Sequence, residues 1–328
     1  MENNYWIVDE WLIFKPEFNK VLTIYYDIIN QYKKIMFSNY NDPLIAIETN
    51  NKYDNKYDNK YNNNFIKNKF NQEIDLSNNI NLTHLTFGWW FNQEINLSNN
   101  TNLTHLTFGD YFNQQIDLSN NINLTHLTFG WKFNQEIDLS KNINLTYLTF
   151  GEYFNQEIDL SKNINLTYLT FEYYFNKEIN LLNNINLTYL TFGLKFNQKI
   201  NLLNNINLTE LTFKGYFNQE LDIPLNIKNL NMDKCNNQYL IDNLHNNIEE
   251  LTIYQTNLNL DNLPNSIKKL YIHHYDKELN NLPNSIEYLE LKNYKLKIKK
   301  IPKNLKTVKC DDKYKYVNDF KGCEVITN

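Results

Sequence analysis

Apolar residues recur along most of this chain at fixed places in a 21-residue unit. Phe70, Phe91, Phe112, Phe133, Phe154, Phe175, Phe196 and Phe217 are each 21 residues apart, and between them runs one phrase, FNQEIDLSNNINLTHLTFGWW in its first copy at 70–90. Within that copy Leu85 and Phe87 point one way and His84 and Thr86 the other, the alternation of a short strand with one buried side. Ile74 and Leu76 form a second alternating pair across the coil. After Phe217 the phrase degrades, but its second half persists as NIKNLNM (226–232), NIEELTI (247–253), SIKKLYI (266–272), SIEYLEL (285–291) and NLKTVKC (304–310). The anchors Leu82, Leu103, Leu124, Leu145, Leu166, Leu187, Leu208, Ile227, Ile248, Ile267, Ile286 and Leu305 mark twelve coils, their spacing shortening from 21 to 19 residues late in the chain. One unit is too small to bury its own apolar face, so stability has to come from stacking on neighbours. The pattern predicts a mainly β repeat solenoid over 70–310, with one continuous parallel sheet of about twelve short strands.

Stacking places like residues above one another. The Phe ladder from Phe70 to Phe217 and the Leu ladder from Leu85 to Leu211 are expected in the core. The Asn that follows each Phe, from Asn71 to Asn218, is expected to turn inward and satisfy backbone groups of successive turns. Gly88, Gly109, Gly130, Gly151 and Gly193 follow the strand segment and suit a turn with positive φ. Outside the repeats, Val21, Ile24, Tyr25, Ile28, Ile29, Tyr32 and Met36 share one helical face, which predicts a helix over 17–37 within an N-terminal helical segment, 1–49. Residues 50–69 contain a KYDN tandem and read as a low-complexity, mobile linker. Residues 311–328 are expected to cap the last coil.

The phrase LTHLTFGWWFNQEI resembles the FNIP repeat, a relative of the leucine-rich repeat typical of amoebal proteins and of giant viruses that infect amoebae. The Pro-bearing loop of that repeat survives in LPNSIKKLYI (263–272) and LPNSIEYLEL (282–291), while copies 70–216 carry LSNN, LSKN or LLNN instead. The resemblance covers 70 to about 310. It implies a leucine-rich-repeat-like binding scaffold with no catalytic residues to carry over. Some relatives carry an N-terminal F-box, which gives residues 1–49 an alternative reading as a degenerate F-box-like module that recruits a Skp1-type adaptor, making the chain a substrate-recognition subunit of a ubiquitin ligase. The Leu-Pro opening of an F-box is missing here.

Composition narrows the function further. All 32 basic residues are lysine, and the net charge is −5. Without arginine the chain lacks the usual bidentate reader of phosphate and guanine, and its charge gives no overall pull toward nucleic acid. Alanine occurs once, at Ala46, which argues against helical repeats. The three cysteines show neither paired nor zinc-type spacing. The acidic, polar start lacks the form of a secretory signal, and no apolar run is long enough to span a membrane. These features predict a cytoplasmic protein (in the host cytoplasm if viral), with no cofactor and no metal.

Candidate sites are judged against that repetitive background. His84, His105 and His126 occupy one repeat position, continued by Tyr147, Tyr168 and Tyr189. Three imidazoles in a column could hold a metal, but the tyrosines favour a tolerant surface column or a partner contact. The two positions before each Phe vary most, which suggests exposure. Trp89, Trp90, Tyr111, Trp131, Tyr153, Tyr173 and Tyr174 there are the candidate partner contacts, because exposed aromatics beside a strand anchor protein interfaces. The recurring acids, such as Glu73, Asp75, Glu94 and Asp117, form a stripe in which no pair stands apart, unlike a catalytic dyad. Ten lysines in 292–315 read as a solvated end of the solenoid. The sequence thus points to a non-catalytic protein-binding scaffold, with a ubiquitin-ligase subunit and a polysaccharide-binding β-solenoid as alternatives.

Overall fold

The computed structural model describes residues 4–51, 66–255 and 257–327; most of the KYDN segment, residues 52–65, lies outside the described residues. The chain divides into two units, Met1–Leu166 and Thr167–Asn328. In the first, β1 (Tyr5–Val8) and β2 (Trp11–Phe14) make an antiparallel hairpin. Strands β3 (Lys34–Phe37), β4 (His84–Thr86), β5 (His105–Thr107), β6 (His126–Thr128) and β7 (Tyr147–Phe150) then add in parallel and in chain order. In the second, β8 (Tyr168–Phe171), β9 (Tyr189–Phe192), β10 (Glu210–Phe213), β11 (Asn229–Asp233), β12 (Glu250–Tyr254), β13 (Lys269–His273), β14 (Tyr288–Lys292), β15 (Thr307–Cys310) and β16 (Glu324–Thr327) are all parallel. The twelve strands legible in the sequence are β4 to β15; among the described residues sixteen are present.

Two interlocked ladders of Phe rings fill the coils. In the first unit the Phe91 ring lies 5.9 Å from Phe70 and 6.1 Å from Phe112, stacked nearly parallel to both. The strand-end ring of each coil fits between, with Phe108 at 3.9 Å from Phe112 and Phe129 at 3.8 Å from Phe133. Ring spacing narrows from 6.1 Å for Phe91–Phe112 through 5.6 Å for Phe87–Phe108 to 4.2 Å for His84–His105. Each coil of this unit is therefore a wedge with its thin edge at the strand, so the strand face is concave. The second unit repeats the gradient, from 6.0 Å for Phe175–Phe196 to 4.3 Å for Tyr168–Tyr189.

The asparagine that points inward is not the one after each Phe. Asn71, Asn92, Asn113 and their equivalents stand at the outer turn, where each Oδ1 accepts the backbone N–H of the next in line, as in Asn92 N to Asn71 Oδ1 at 2.8 Å. The buried ladder is the last Asn of each LSNN, LSKN or LLNN turn. Asn121 Nδ2 donates to Leu97 O at 3.0 Å and Asn100 O at 2.9 Å, and Asn100, Asn142 and Asn205 make the same pair of bonds within their own units. These turn carbonyls face the core, where an unmet acceptor is costly, and an amide with two donors meets two of them at once.

The glycines do not serve positive φ; Gly322 is the one glycine with it among the described residues. Their role is close approach. A Cβ on Gly130 would sit 2.2 Å from the Gly109 carbonyl oxygen, and one on Gly151 would sit 1.9 Å from that of Gly130. The later coils solve the same corner differently. Strands β11 to β14 run to five residues, and each is followed by a non-glycine residue at positive φ: Lys234, Gln255, His274 and Asn293.

No single helix spans 17–37. Short helical turns at Leu22–Tyr25 and Tyr26–Ile29 are followed directly by β3. The segment is a diverged coil. Phe18 stacks on Phe70 at 5.7 Å, Phe37 stacks on Phe87 at 5.8 Å, Asn19 Oδ1 accepts the Asn71 N–H, and the carbonyls of Ile29 and Tyr32 receive the buried Asn79 amide. Of that apparent helical face, Ile29 and Met36 are buried while Val21 and Ile24 are exposed, so it is split between core and solvent. Residues 66–69, assigned to the linker, are packed: Asn68 is buried and donates to Ser38 O and Lys15 O. At the other end, residues 311–327 supply a further coil, with Tyr314 and Phe320 buried and β16 paired to β15.

Two outcomes follow. Asn121→Asp turns an acceptor toward two buried carbonyls and is expected to cost about 3 kcal/mol of stability, read by denaturant unfolding, against less than about 1 kcal/mol for Asn123→Asp, whose amide bond to Thr101 O is exposed to water. Gln255→Gly relieves a left-handed residue and is expected to stabilise by up to about 1 kcal/mol.

Candidate partner-binding surfaces

The corner after each strand carries the variable aromatic pair. In the first unit the Trp90 and Tyr111 rings lie 4.2 Å apart, and those of Trp131 and Tyr153 lie 6.0 Å apart. Lysines lie over them: Lys67 Nζ is 4.4 Å from the Trp89 ring, and Lys132 Nζ is 4.5 Å from Tyr153 and 5.3 Å from Trp131. Trp90 and Tyr153 are 38% and 37% exposed, while Trp89, Tyr111 and Trp131 are half-buried. The result is a partly open aromatic row with ammonium groups on its faces. In the second unit Tyr173 and Tyr174 pack at 4.7 Å, both exposed, with Lys195 Nζ 6.0 Å from Tyr173. Variation between copies is not always exposure, however. Asp110 at the first of these positions is buried, and its carboxylate accepts the Trp131 N–H at 3.3 Å.

The histidine column is a stack on the concave face. His84, His105 and His126 lie ring on ring at 4.2 Å, Trp11 meets His84 edge-on at 5.6 Å, and Tyr147 continues the stack at 5.6 Å from His126. Tyr168 and Tyr189 stack in the same way in the second unit. Each histidine Nδ1 lies 2.9 Å from the hydroxyl of the preceding threonine: Thr83, Thr104 and Thr125. Those hydroxyls donate their one hydrogen to the carbonyls of Lys33, Thr83 and Thr104, so the proton between ring and hydroxyl belongs to Nδ1. Burial holds His84 down to about 4, with Lys34 adding to the effect, and holds His105 down to about 3, with its two histidine neighbours adding. Parallel rings aim their Nε2 atoms side by side rather than at one point. Among the described residues no group of three or more His, Cys, Asp or Glu could hold a metal ion.

The outer acidic stripe has a local explanation. Asp75, Asp117, Asp138 and Asp159 each accept the N–H of the serine two residues on, and that bond holds each carboxyl below its usual range. They cap turns and stay ionised. The lysines of 292–315 are partly neutralised: Lys299 pairs with Glu278, Lys306 with Glu287, Lys309 with Glu290 and Lys297 with Asp319.

The sequence reading missed the strand face of β11 to β15. Register aligns Asn231, Thr252, Tyr271, Glu290 and Lys309 in one row and Asp233, Tyr254, His273 and Lys292 in the next. Where earlier coils repeat His or Tyr and Thr, these five strands place a different side chain at nearly every point. Glu290 is held by the Tyr288 hydroxyl at 3.0 Å, His273 Nε2 at 3.2 Å and Lys309 Nζ at 3.4 Å. Burial works against its ionisation, but the Tyr288 hydroxyl and Lys309 outweigh it and leave the carboxyl below its usual range. Asp233 is the reverse: burial pushes its carboxyl up, against the weaker pull of Lys234, Lys214 and His273. The signal was present in the sequence, as strand positions that stop repeating.

The depressed histidines make stability depend on pH with a defined sign. An unfolded histidine takes its proton near 6.5, while His84 in the folded chain does so at about 4. The folded state therefore binds fewer protons between these values, and stability is lost as pH falls through that window. Replacing all three histidines with Tyr, the residue at 147, 168 and 189, is expected to flatten the fall in Tm between pH 7 and pH 4.5 by several degrees. Parallel melting curves of the two proteins are the check.

The repeat is recognisable elsewhere. Residues 254–294 match the model of the FNIP repeat. No curated protein matches the chain. Among solved structures, the chain resembles CroV588, a circular leucine-rich-repeat protein, with 28% identity and a TM-score of 0.56, over 95% of this chain and 58% of that one. Two Listeria monocytogenes proteins share the fold. The internalin InlF has 19% identity and a TM-score of 0.54 over 79% of this chain and 84% of its own; InlJ has 20% and 0.51 over 75% and 58%. The chain thus spans little more than half of CroV588 and of InlJ. With its 21- and 19-residue coils and parallel strands, the chain is a solenoid of leucine-rich-repeat type that carries an FNIP repeat at residues 254–294.

Proposed function

We propose that this solenoid is a non-catalytic protein–protein interaction scaffold that binds its partner through the strand faces and the adjoining turns. The observation that carries the reading is the row of Trp89, Trp90, Tyr111, Trp131 and Tyr153 in the first unit, where partly exposed rings sit beside lysine ammonium groups. Such rings supply contact area at little cost in side-chain freedom, and residues of this kind dominate binding energy in protein interfaces. The concave strand face beside them adds a preorganised surface, with its side chains fixed by stacking. The solenoid fold of the leucine-rich-repeat neighbours supports a scaffold role. The acidic stripe is engaged in turn capping, which supports a reading without catalysis. Residues 18–37 are spent on a coil of the solenoid, so a separate adaptor-recruiting module receives no support from them. We place the scaffold in the cytoplasm, a reading supported by Cys235 and Cys310, both buried as free thiols.

Replacing Trp89, Trp90 and Trp131 together with Ala is expected to leave the far-UV spectrum and the strand pairing intact while reducing partner capture at least tenfold in a cross-linking pull-down. Unchanged capture by the folded triple variant would remove the aromatic row from the binding surface.

A further inference from the structure

We infer that the turn before the strands of the first unit is a surface for a second copy of this chain, held by a row of exposed isoleucines and the asparagines that flank it. Ile80, Ile122, Ile143 and Ile164 occupy one repeat position and are 56%, 51%, 50% and 50% exposed, with the exposed Thr101 at the level between the first two. A contiguous apolar row on a surface marks an interaction site, whereas scattered apolar side chains do not. The row is held in place. Asn102, Asn123, Asn144 and Asn165 each donate an Nδ2 hydrogen to the carbonyl of the row residue one coil back, at 2.9 to 3.0 Å, which fixes the spacing from level to level. The strand lies between this turn and the aromatic corner, so the row is separate from the tryptophans and tyrosines.

Three features select a second copy as the occupant. The first is period. The row offers a side chain with a γ-methyl at every coil, about 4.8 Å apart, and a second copy related by a two-fold axis brings the same period by necessity. The second is charge. In the antiparallel arrangement that such an axis creates, the five levels of the unit pair completely when Ile122 lies on the axis, so that Ile80 meets the other copy's Ile164 and Thr101 meets its Ile143. The outer flank of the row reads Asn78, Asn99, Asn120, Lys141 and Lys162, all exposed, and the same axis sets each lysine against an asparagine rather than against another lysine. The third is hydrogen bonding along the inner flank, where Asn102 meets Asn144 and Asn123 meets its own counterpart. An amide that has given one N–H to its own chain keeps a second N–H and an oxygen, so it is donor and acceptor at once and complements a copy of itself. The surface comprises about fifteen residues a side, where a stable interface of standard size uses about 20 to 30, which sets the expected dissociation constant on the order of 10 µM.

The test is the mass of the full chain in solution as a function of concentration, read by sedimentation. Dimer is expected to predominate at about 100 µM and monomer at about 0.5 µM. Replacing Ile122 and Ile143 with Thr, the residue the chain itself carries at 101, is expected to weaken the dimer at least tenfold with the melting temperature unchanged, and replacing both with Asp to abolish it. Register is read by disulfide trapping with an added oxidant in a Cys323→Ser background, since Cys235 and Cys310 are buried. Ile122→Cys is expected to link to itself, and Ile80→Cys to link only when mixed with Ile164→Cys. A chain that stays monomeric at about 100 µM, a dimer indifferent to the folded threonine variant, or self-linking of Ile80→Cys as fast as that of Ile122→Cys would each overturn the proposal. So would capture of a different protein by the row in a chain that does not dimerise. The tryptophan variant of the aromatic row is expected to dimerise as the parent chain does, so the two surfaces stand or fall separately.

Discussion

Backbone carbonyls at the turns of a solenoid face inward, and each has to find a donor without water. In the coils that carry an LSNN, LSKN or LLNN turn the requirement is met by the last Asn of that turn, whose amide reaches two carbonyls of the coil before, as Asn121 reaches those of Leu97 and Asn100. The other regularities depend on it. The amide fixes the distance between successive turns, and the Phe rings fill the space that distance leaves. At 6.1 Å the outer Phe rings are further apart than the strands, which are spaced about 4.8 Å by their hydrogen bonds. The difference is accommodated by the wedge shape of the coil, and the wedge makes the strand face of each unit concave. A concave face crowds the side chains it carries, which is why the histidines stack at 4.2 Å and resist protonation.

Most of this architecture was legible from spacing alone. A recurrence of 21 residues in Phe, Leu and Asn specifies stacking, and the inward Leu and outward His and Thr of each strand stand where alternation places them. What was not legible has physical causes. Asn71 and Asn79 recur with the same period, so periodicity could not say which of the two faces the core. Gly109 and Gly130 looked like residues that a turn needs for positive φ, but the constraint is a carbonyl of the adjacent coil within about 2 Å of where a Cβ would stand. Such a contact is visible only once two coils are stacked. The segment 17–37 combined a helical apolar period with a repeat too diverged to align. Phe18-Asn19 and Lys34-Ile35-Met36-Phe37 were the surviving marks of the coil, and packing against Phe70 and Phe87 outweighed the helical pattern.

Of the candidate contacts, the aromatic corner residues lie together on one side of the coils within each unit, as their shared repeat position required. The strand-face grid of β11 to β15 escaped notice for the opposite reason. Repetition draws the eye to residues that recur, whereas Asn231, Tyr254, Tyr271, His273 and Glu290 are informative because nothing recurs there. Repeats conserve what the stack needs and release what it does not, so a break in repetition at a strand position that packs against nothing inside marks a place free to acquire a specific role.

The change of corner between early and late coils bears on where such freedom arises. At Gly130 or Gly151 the chain turns by pressing its backbone against the coil before, which leaves no space for a side chain at that point of the strand face. In β11 to β14 the strand runs one residue further, and the turn is made by a residue in the left-handed region, at a cost of about 1 kcal/mol for each non-glycine residue. That extra strand residue is Asp233, Tyr254, His273 or Lys292, each standing where the early coils have glycine. The longer strand thus adds a whole column of side chains to the concave face, and the strained corner is what opens the position. A solenoid built from the glycine corner alone would carry two columns on its strand face, too few to surround a ligand group on more than one side.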